Sequence, residues 1–219
     1  MDFSLFCLHL QMMFKSIFIW GTIGVCCTLF APSCKDQERG HAIDLPVDKF
    51  HEGDIVFRRG MGLTSQIVLA ADSKGTYSHI GILKQIDNNW YVIHAVPGEP
   101  DYKGDADRVK IDDLYRFFAP DRASRGAVMR VDGESQAAQR AAQHALALFE
   151  AGVLFDHDYN LTDTTQMYCT ELVNYVYQKE GIDLSEGRLS HINIPGLGGT
   201  YLLPNDIAQN QKLQIIYSF

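Results

Sequence analysis

The chain has 219 residues, of which 46% are hydrophobic, and this is enough to bury one ordinary core. Its formal net charge is −8, so the surface should repel nucleic-acid phosphates and anionic lipid headgroups. We therefore expect one folded domain that has no nucleic-acid partner.

The N-terminal region is typical of a signal peptide. Lys15 precedes an uncharged apolar stretch at residues 17–30, which is short for a membrane span. The following Ala-Pro-Ser-Cys, residues 31–34, resembles the lipobox of bacterial lipoproteins. We predict a lipoprotein signal peptide at 1–33, a lipid on Cys34, and export to the bacterial cell envelope, on the periplasmic or outer-membrane face. An uncleaved N-terminal anchor helix is the alternative.

The cysteines separate these regions from the domain. Polar residues 34–46 are predicted to be a tether, and residues 47–219 the catalytic domain. Three of the five cysteines lie in the signal peptide and one at position 34, so the domain keeps Cys169 alone. A disulfide framework is therefore impossible in the mature domain, and the lone thiol is either inert and buried or kept for its reactivity.

The first half of the domain is predicted to be mostly strands. Residues 53–58 should form a strand and residues 63–71 a short helix. Segments 79–83 and 90–96 should pair as a β-hairpin across a polar loop near residues 87–89.

Helices become more frequent in the second half. Apolar residues recur at helical spacing between residues 135 and 151, and Gly152 follows as a helix stop. Strands with separated helices, without regular βαβ alternation, predict an α+β fold. The other predicted elements are a loop at 97–107, a helix at 112–118, a strand at 127–131, a helix from Cys169 to about Gly181, a glycine-rich loop at 193–199 and a strand at 213–217.

Cys169 is expected in the first turns of its helix, with Asp163, Thr164 or Thr165 as the cap. The unpaired N–H groups and the helix dipole at such a position favour the thiolate and lower the pKa of a cysteine. Cleavage of an amide or ester also requires a group that carries the proton to the leaving atom. A histidine within hydrogen-bond reach is the usual choice.

Two histidines on the predicted hairpin fit this need. His79 begins one strand, where Gly81 should leave room for a helix end, and His94 is a polar residue within the apolar run of the other. A turn centred on residues 88–89 would leave the two rings about 13 Å apart along the strands. A tip at residues 86–87 would place His79 opposite His94, and we predict this register or a bulge with the same effect.

These residues carry a resemblance to a known family. The order of "GDIVFR", "YSHIGIL", "VIHA" and "YCTELV" is similar to the circularly permuted branch of the NlpC-like papain-fold superfamily, the YiiX-type proteins. The histidines precede the cysteine, as in that branch, although position 94 often holds glutamate there. The resemblance implies a permuted papain-like fold with an antiparallel sheet packed against the helix of the nucleophile. It also implies that Cys169 is the nucleophile, His79 the general base and acid, and His94 the residue that orients His79.

Other residues have weaker claims. Tyr77 and Tyr168 are possible oxyanion donors or substrate contacts, and Asp54 could bind a substrate amine, although each has an ordinary packing or turn explanation. The acid-rich segment 156–158 lacks a metal-binding spacing, so we predict no metal and no cofactor. We expect Glu171 to complement the helix dipole.

The sequence therefore predicts an exported, lipid-anchored cysteine hydrolase that forms a thioester. The expected substrate is an amide such as a small cell-wall peptide or an amino-acid amide. A lipid or acyl-ester hydrolase, an acyltransferase, and a ligand-binding lipoprotein without activity are the alternatives. A long apolar groove would favour an acyl substrate, and a small acidic pocket would favour a peptide with a free amine.

Overall fold

The structure is a computed structural model that describes residues 43–72, 74–193 and 198–219. The predicted signal peptide, the lipid site at Cys34 and most of the tether lie outside the described residues. Within the described ranges, no helix has both the length and the apolar character needed to cross a membrane.

A six-stranded sheet forms the centre of the fold, and all its neighbouring strands are antiparallel. The strand order is β4-β3-β2-β1-β5-β8, and β6 and β7 form a separate pair. The strands are β1 Ile55–Gly60, β2 His79–Ile86, β3 Asn89–Val96, β4 Arg108–Asp113, β5 Ala123–Val131, β6 Ser190–Ile192, β7 Gly199–Tyr201 and β8 Leu213–Ser218.

In the described part of the chain five α-helices accompany the sheet, and the predicted α+β mixture is confirmed. They are α1 Leu63–Ala71, α2 Leu114–Phe117, α3 Ser135–Glu150, α4 Cys169–Gln178 and α5 Pro204–Ala208. The helix predicted at 112–118 begins late because β4 occupies the residues before it. The sequence did not predict β4, which carries residues that lie near the site described below.

Each face of the sheet has its own hydrophobic core. The first core packs α3 and α4 against β1 to β5, with Ile80, Ile82 and Leu172 fully buried. The second core lies on the opposite face and contains Val56, Leu83, Val92, Phe117 and Phe118. Leu45 belongs to this second core, so packing begins before residue 47. Helix α4 and the phenylalanine cluster therefore lie on opposite sides of the strands.

The register of the β2–β3 hairpin differs from the prediction. Asp87 and Asn88 both have left-handed backbone conformations, with φ of 49° and 63°, and form a tight two-residue turn. Ile86 therefore pairs with Asn89. The prediction that placed His79 directly opposite His94 is wrong. The observed register places them as a diagonal pair on one face of the sheet, which long side chains can still bridge.

Gly81 fixes the distance between β2 and β3 at the histidines. A Cβ at this position would lie 2.4 Å from Cγ1 of Val92 and 3.1 Å from Cβ of His94. We predicted that Gly81 leaves room for a helix end. This prediction is wrong, because residues of β3 fill the space above Gly81. A side chain here would push β3 away and carry His94 with it.

Candidate active site

Cys169 is the first residue of α4, as the sequence predicts, but the helix is capped differently. Tyr168 is the N-cap residue, and its backbone N–H donates to Oε2 of Glu171 at 3.4 Å. Asp163 instead accepts hydrogen bonds from Thr165 inside its own loop. The predicted cap at residues 163–165 is therefore wrong, and Glu171 contributes to the cap directly.

The Cys169 sulfur lies beside several backbone donors. The N–H groups of Cys169, Thr170 and Ile80 interact with it and favour the thiolate. The pairing of β2 with β3 ends at Ile82 and Ile93. The N–H of Ile80 therefore has no partner in β3 and can interact with the sulfur. Burial is the larger effect, however, and it raises the pKa of the thiol above its ordinary value. The expected fall in the pKa of this cysteine is wrong, and the thiol is the resting form.

A cavity of about 330 Å³, which we call the polar cavity, brings the predicted catalytic residues together. Cys169 and His79 both line it, together with Arg58, Glu99 and Arg122. Cys169 is partly exposed. Among the described residues, no hydrogen bond joins its sulfur directly to the imidazole of His79. The two side chains thus face a common space, and catalytic contacts in unliganded sites often tighten only when substrate binds.

The two predicted histidines are in direct contact. Nε2 of His79 lies 2.8 Å from Nδ1 of His94, and the ring centroids are 5.0 Å apart. Both rings also pack against Phe117 of the second core. The prediction that the imidazoles meet is confirmed, although the register that brings them together is a different one.

Behind His94 lies a network of buried and partly buried charges that the sequence did not predict. Nε2 of His94 is 3.2 Å from Oδ2 of Asp112, and Nη1 of Arg122 donates to the same oxygen at 2.7 Å. Arg122 also binds Glu99, which in turn binds Arg58, and Arg58 is only 2% exposed. A pattern in β4 could have predicted this network. Lys110 and Asp112 alternate with apolar neighbours, and charges on a buried strand face need partners.

This network favours neutral imidazoles. Burial lowers the pKa of His79 well below its usual value, and the positive charges of Arg58 and Arg122 lower it further. Burial also lowers the pKa of His94, although its hydrogen bond to Asp112 acts in the opposite direction. Near pH 7 the resting site therefore contains an uncharged thiol and two uncharged rings. His79 is in the form that accepts a proton.

A second cavity of about 250 Å³, the apolar cavity, also reaches the sulfur. Its described lining has no Asp, Glu, Lys or Arg. Its aliphatic residues come from α1, β6, the link between β7 and α5, and the first residue of α5, and they are Ile67, Val68, Ala71, Ile192, Leu202, Leu203 and Pro204. Tyr159 and Tyr168 line both cavities, so Cys169 lies where a charged space and an apolar space meet.

The three weaker candidates have different positions. Asp54 lines neither cavity, and both its oxygens accept hydrogen bonds from Arg130, so it is not placed to bind a substrate amine. Tyr77 also lines neither cavity and packs on Phe57 with ring centroids 5.3 Å apart. Tyr168 is at the site, and its hydroxyl accepts a hydrogen bond from the N–H of Leu202.

The acid-rich loop at 156–158 has structural contacts. Asp156 is buried and accepts hydrogen bonds from the N–H groups of Asp158 and Asn160, while His157 lies 3.3 Å from Asp107. Across the described ranges, no group of three or more His, Cys, Asp or Glu side chains is placed to hold a metal ion.

Comparisons with known proteins found a matching family and a similar solved structure. Residues 49–217 match the family described as permuted papain-like amidase enzyme, YaeF/YiiX, C92 family. A solved structure titled as the metalloprotein yiiX from Escherichia coli O157:H7 is similar, with a TM-score of 0.60 and 25% sequence identity. The match covers 78% of this chain and 98% of that one. No curated protein matches the chain. The word metalloprotein describes the E. coli protein, and the described side chains here do not offer a corresponding metal site.

The cap at α4 generates a prediction about stability. Burial raises the pKa of Glu171 from 4.5 to about 8, and its buried Oε1 has no hydrogen-bond partner among the described residues. Because the folded protein holds this proton more tightly, the stabilisation is complete below pH 4.5 and is lost as the pH rises towards 8. We expect Glu171→Gln to gain about 1–3 kcal/mol over the wild type between pH 5 and pH 9 in chemical denaturation.

The matched control is Glu150→Gln, on an exposed position of α3. Its stability should follow the wild type at every pH. A constant difference between Glu171→Gln and the wild type from pH 5 to pH 9 would contradict the assignment of a raised pKa to Glu171.

Proposed function

The chain belongs to the permuted papain-like amidase family of the YaeF/YiiX type and is a cysteine hydrolase of amide bonds, and we propose that Cys169, His79 and His94 perform its reaction. The observation that carries this proposal is the shared cavity in which a thiol at a helix N-terminus faces a neutral imidazole. His94 holds the ring of His79 through the 2.8 Å contact between their nitrogens.

The proposed reaction starts from the uncharged pair. His79 takes the proton of the Cys169 thiol as the sulfur attacks the carbonyl carbon of the amide. The oxyanion that forms is met by the N–H of Cys169 at the start of α4. His79 then gives its proton to the leaving amine, the C–N bond breaks, and a thioester remains. Water, deprotonated by His79, hydrolyses the thioester and releases the acid.

The apolar cavity supports a substrate with an apolar acyl group. It opens directly at the sulfur and its described lining has no charged side chain, so burying a hydrocarbon chain there is favourable. Asp54, the residue that the sequence offered for binding a free amine, is instead bound to Arg130. We propose an amide whose acyl part occupies the apolar cavity. An acyl ester is the corresponding oxygen substrate.

The polar cavity supports a second candidate, a small cell-wall peptide. Arg58, Glu99 and Arg122 give it charges of both signs, which suit a zwitterionic or polar peptide. The two candidates differ in which side of the scissile bond contributes most of the binding energy. A set of amides can therefore distinguish the two candidates. Each amide carries either a long or a short acyl group, and its amine part is either an amino acid or a neutral amine.

The basic proposal is tested by removing the reacting groups. Cys169→Ala should abolish amide hydrolysis, and His79→Ala should lower kcat by at least about 100-fold, because general base catalysis typically contributes this much. Mass spectrometry of the wild type mixed with an acyl amide should show an acyl adduct on the peptide that contains Cys169. Full activity of Cys169→Ala would disprove the proposed function.

The acyl preference is tested at the wall of the apolar cavity. Ile67→Asp places a charge there and should lower kcat/KM for a long-chain acyl amide at least about tenfold, while the acetyl amide is affected less than twofold. Leu189→Asp is a matched control, because Ile67 and Leu189 are both 42% exposed and Leu189 lines neither cavity. Equal losses on long and short acyl groups would favour the peptide candidate.

We also propose that the protein is exported and lipid-anchored through Cys34, as its N-terminal sequence suggests. In bacterial cells fed labelled palmitate, the wild-type protein should become labelled and sediment with membranes. Cys34→Ala should lose the label, while Cys169→Ala keeps it. Labelling that persists in Cys34→Ala would contradict this anchor.

A further inference from the structure

Asp112 is placed to control the proton positions on both histidines. It is only 7% exposed, and its Oδ2 is the one described acceptor within hydrogen-bond distance of Nε2 of His94. Burial raises the pKa of this carboxyl, but its hydrogen bond with His94 and the charges of Lys110 and Arg122, which lie 3.7 Å and 2.7 Å away, lower it more and keep the group charged. A charged carboxylate can only accept hydrogen bonds.

This constraint passes along the chain of contacts. Because Asp112 must accept, a neutral His94 carries its ring proton on Nε2, and its Nδ1 has a free lone pair. That Nδ1 lies 2.8 Å from Nε2 of His79, which must then be the donor. A neutral His79 therefore carries its proton on Nε2 as well. Its Nδ1 is left unprotonated and can accept a proton at the polar cavity, which His79 and Cys169 both line.

The same carboxylate compensates charge during the reaction. When His79 receives the thiol proton, its ring becomes positive in a region that already contains Arg58 and Arg122. The negative charge of Asp112, one imidazole away, offsets part of this unfavourable interaction.

A purely structural role for Asp112, in which it only neutralises Arg122 and Lys110, explains its contacts less well. Arg122 also binds Glu99, and Lys110 also binds Asp101 and the carbonyl of Glu99, so each cation has another partner. His94 has no second acceptor for its Nε2 among the described residues. Loss of Asp112 therefore leaves His94 as the group without a partner.

We propose that Asp112 is a positioning residue that extends the site to a four-residue relay, in which it sets the tautomers of His94 and His79 and stabilises the protonated state of His79. This inference rests on the proposed roles of Cys169 and His79. Asp112 does not itself touch the substrate.

The first test uses the wild-type protein and does not depend on activity. Nitrogen-15 NMR of the histidine rings near pH 7 distinguishes protonation at Nδ1 from protonation at Nε2. The signals are assigned with the variants His79→Gln and His94→Gln. Both rings should be protonated on Nε2, and a His79 protonated on Nδ1 would overturn the proposal.

The second test separates positioning from stability. Asp112→Asn should lower kcat at least about tenfold and leave KM within about twofold, since it keeps the shape but removes the charge. It should also lower the pKa at which His79 titrates in the NMR spectra. The matched control is Asp101→Asn, which removes a carboxylate from Lys110 but not from His94, and its kcat and KM should stay within about twofold of the wild type.

The outcomes are separable. If Cys169→Ala and His79→Ala are inactive but Asp112→Asn has wild-type kcat, the relay is wrong and the proposed function stands. If Cys169→Ala is active, the proposed function fails, and the NMR of the wild type still decides the tautomers. The same spectra decide the question if Asp112→Asn does not fold.

Discussion

The contact between two uncharged imidazoles on neighbouring strands is the interaction on which the site depends. It exists because a two-residue turn sets the β2–β3 register and because Gly81 lets the strands approach where His94 is placed. The diagonal pair bonds Nε2 of His79 to His94, and within the described part of the chain Nδ1 has no hydrogen-bond partner. The opposite sheet face carries α4, whose first residue is Cys169, the proposed nucleophile. The polar cavity lies where the pairing of β2 with β3 ends, so residues from both sides of the sheet line it.

Electrostatics determine which form of the site is at rest. Burial and nearby arginines lower the pKa of His79, while burial raises the pKa of Cys169. Both effects oppose a preformed thiolate–imidazolium pair. The backbone N–H groups around the sulfur and the carboxylate of Asp112 act in the other direction, and they matter most when charge develops during the reaction. The site is thus arranged to stabilise the ion pair transiently.

The sequence was sufficient to identify Cys169, His79 and His94 as candidate site residues, because a lone cysteine at a helix start and two histidines in strand patterns are local features. It was insufficient for the register, because the left-handed conformations of Asp87 and Asn88 select a turn one position from the one we predicted. Asp112 was missed for a related reason. Its role depends on the pairing of β3 with β4, and no spacing along the chain reveals which strand lies beside His94. The two cavities likewise arise from elements distant in sequence.

The most direct test of the central claim is the pH dependence of the reaction of Cys169 with iodoacetamide, compared between the wild type and His79→Gln. If the neutral imidazole takes the thiol proton, the wild type should react at least about tenfold faster at pH 7, and its reactivity should persist below pH 6.5 because the pKa of His79 is lowered. The variant should react only as the buried thiol ionises, at alkaline pH. Coincident profiles for the two proteins would contradict the account.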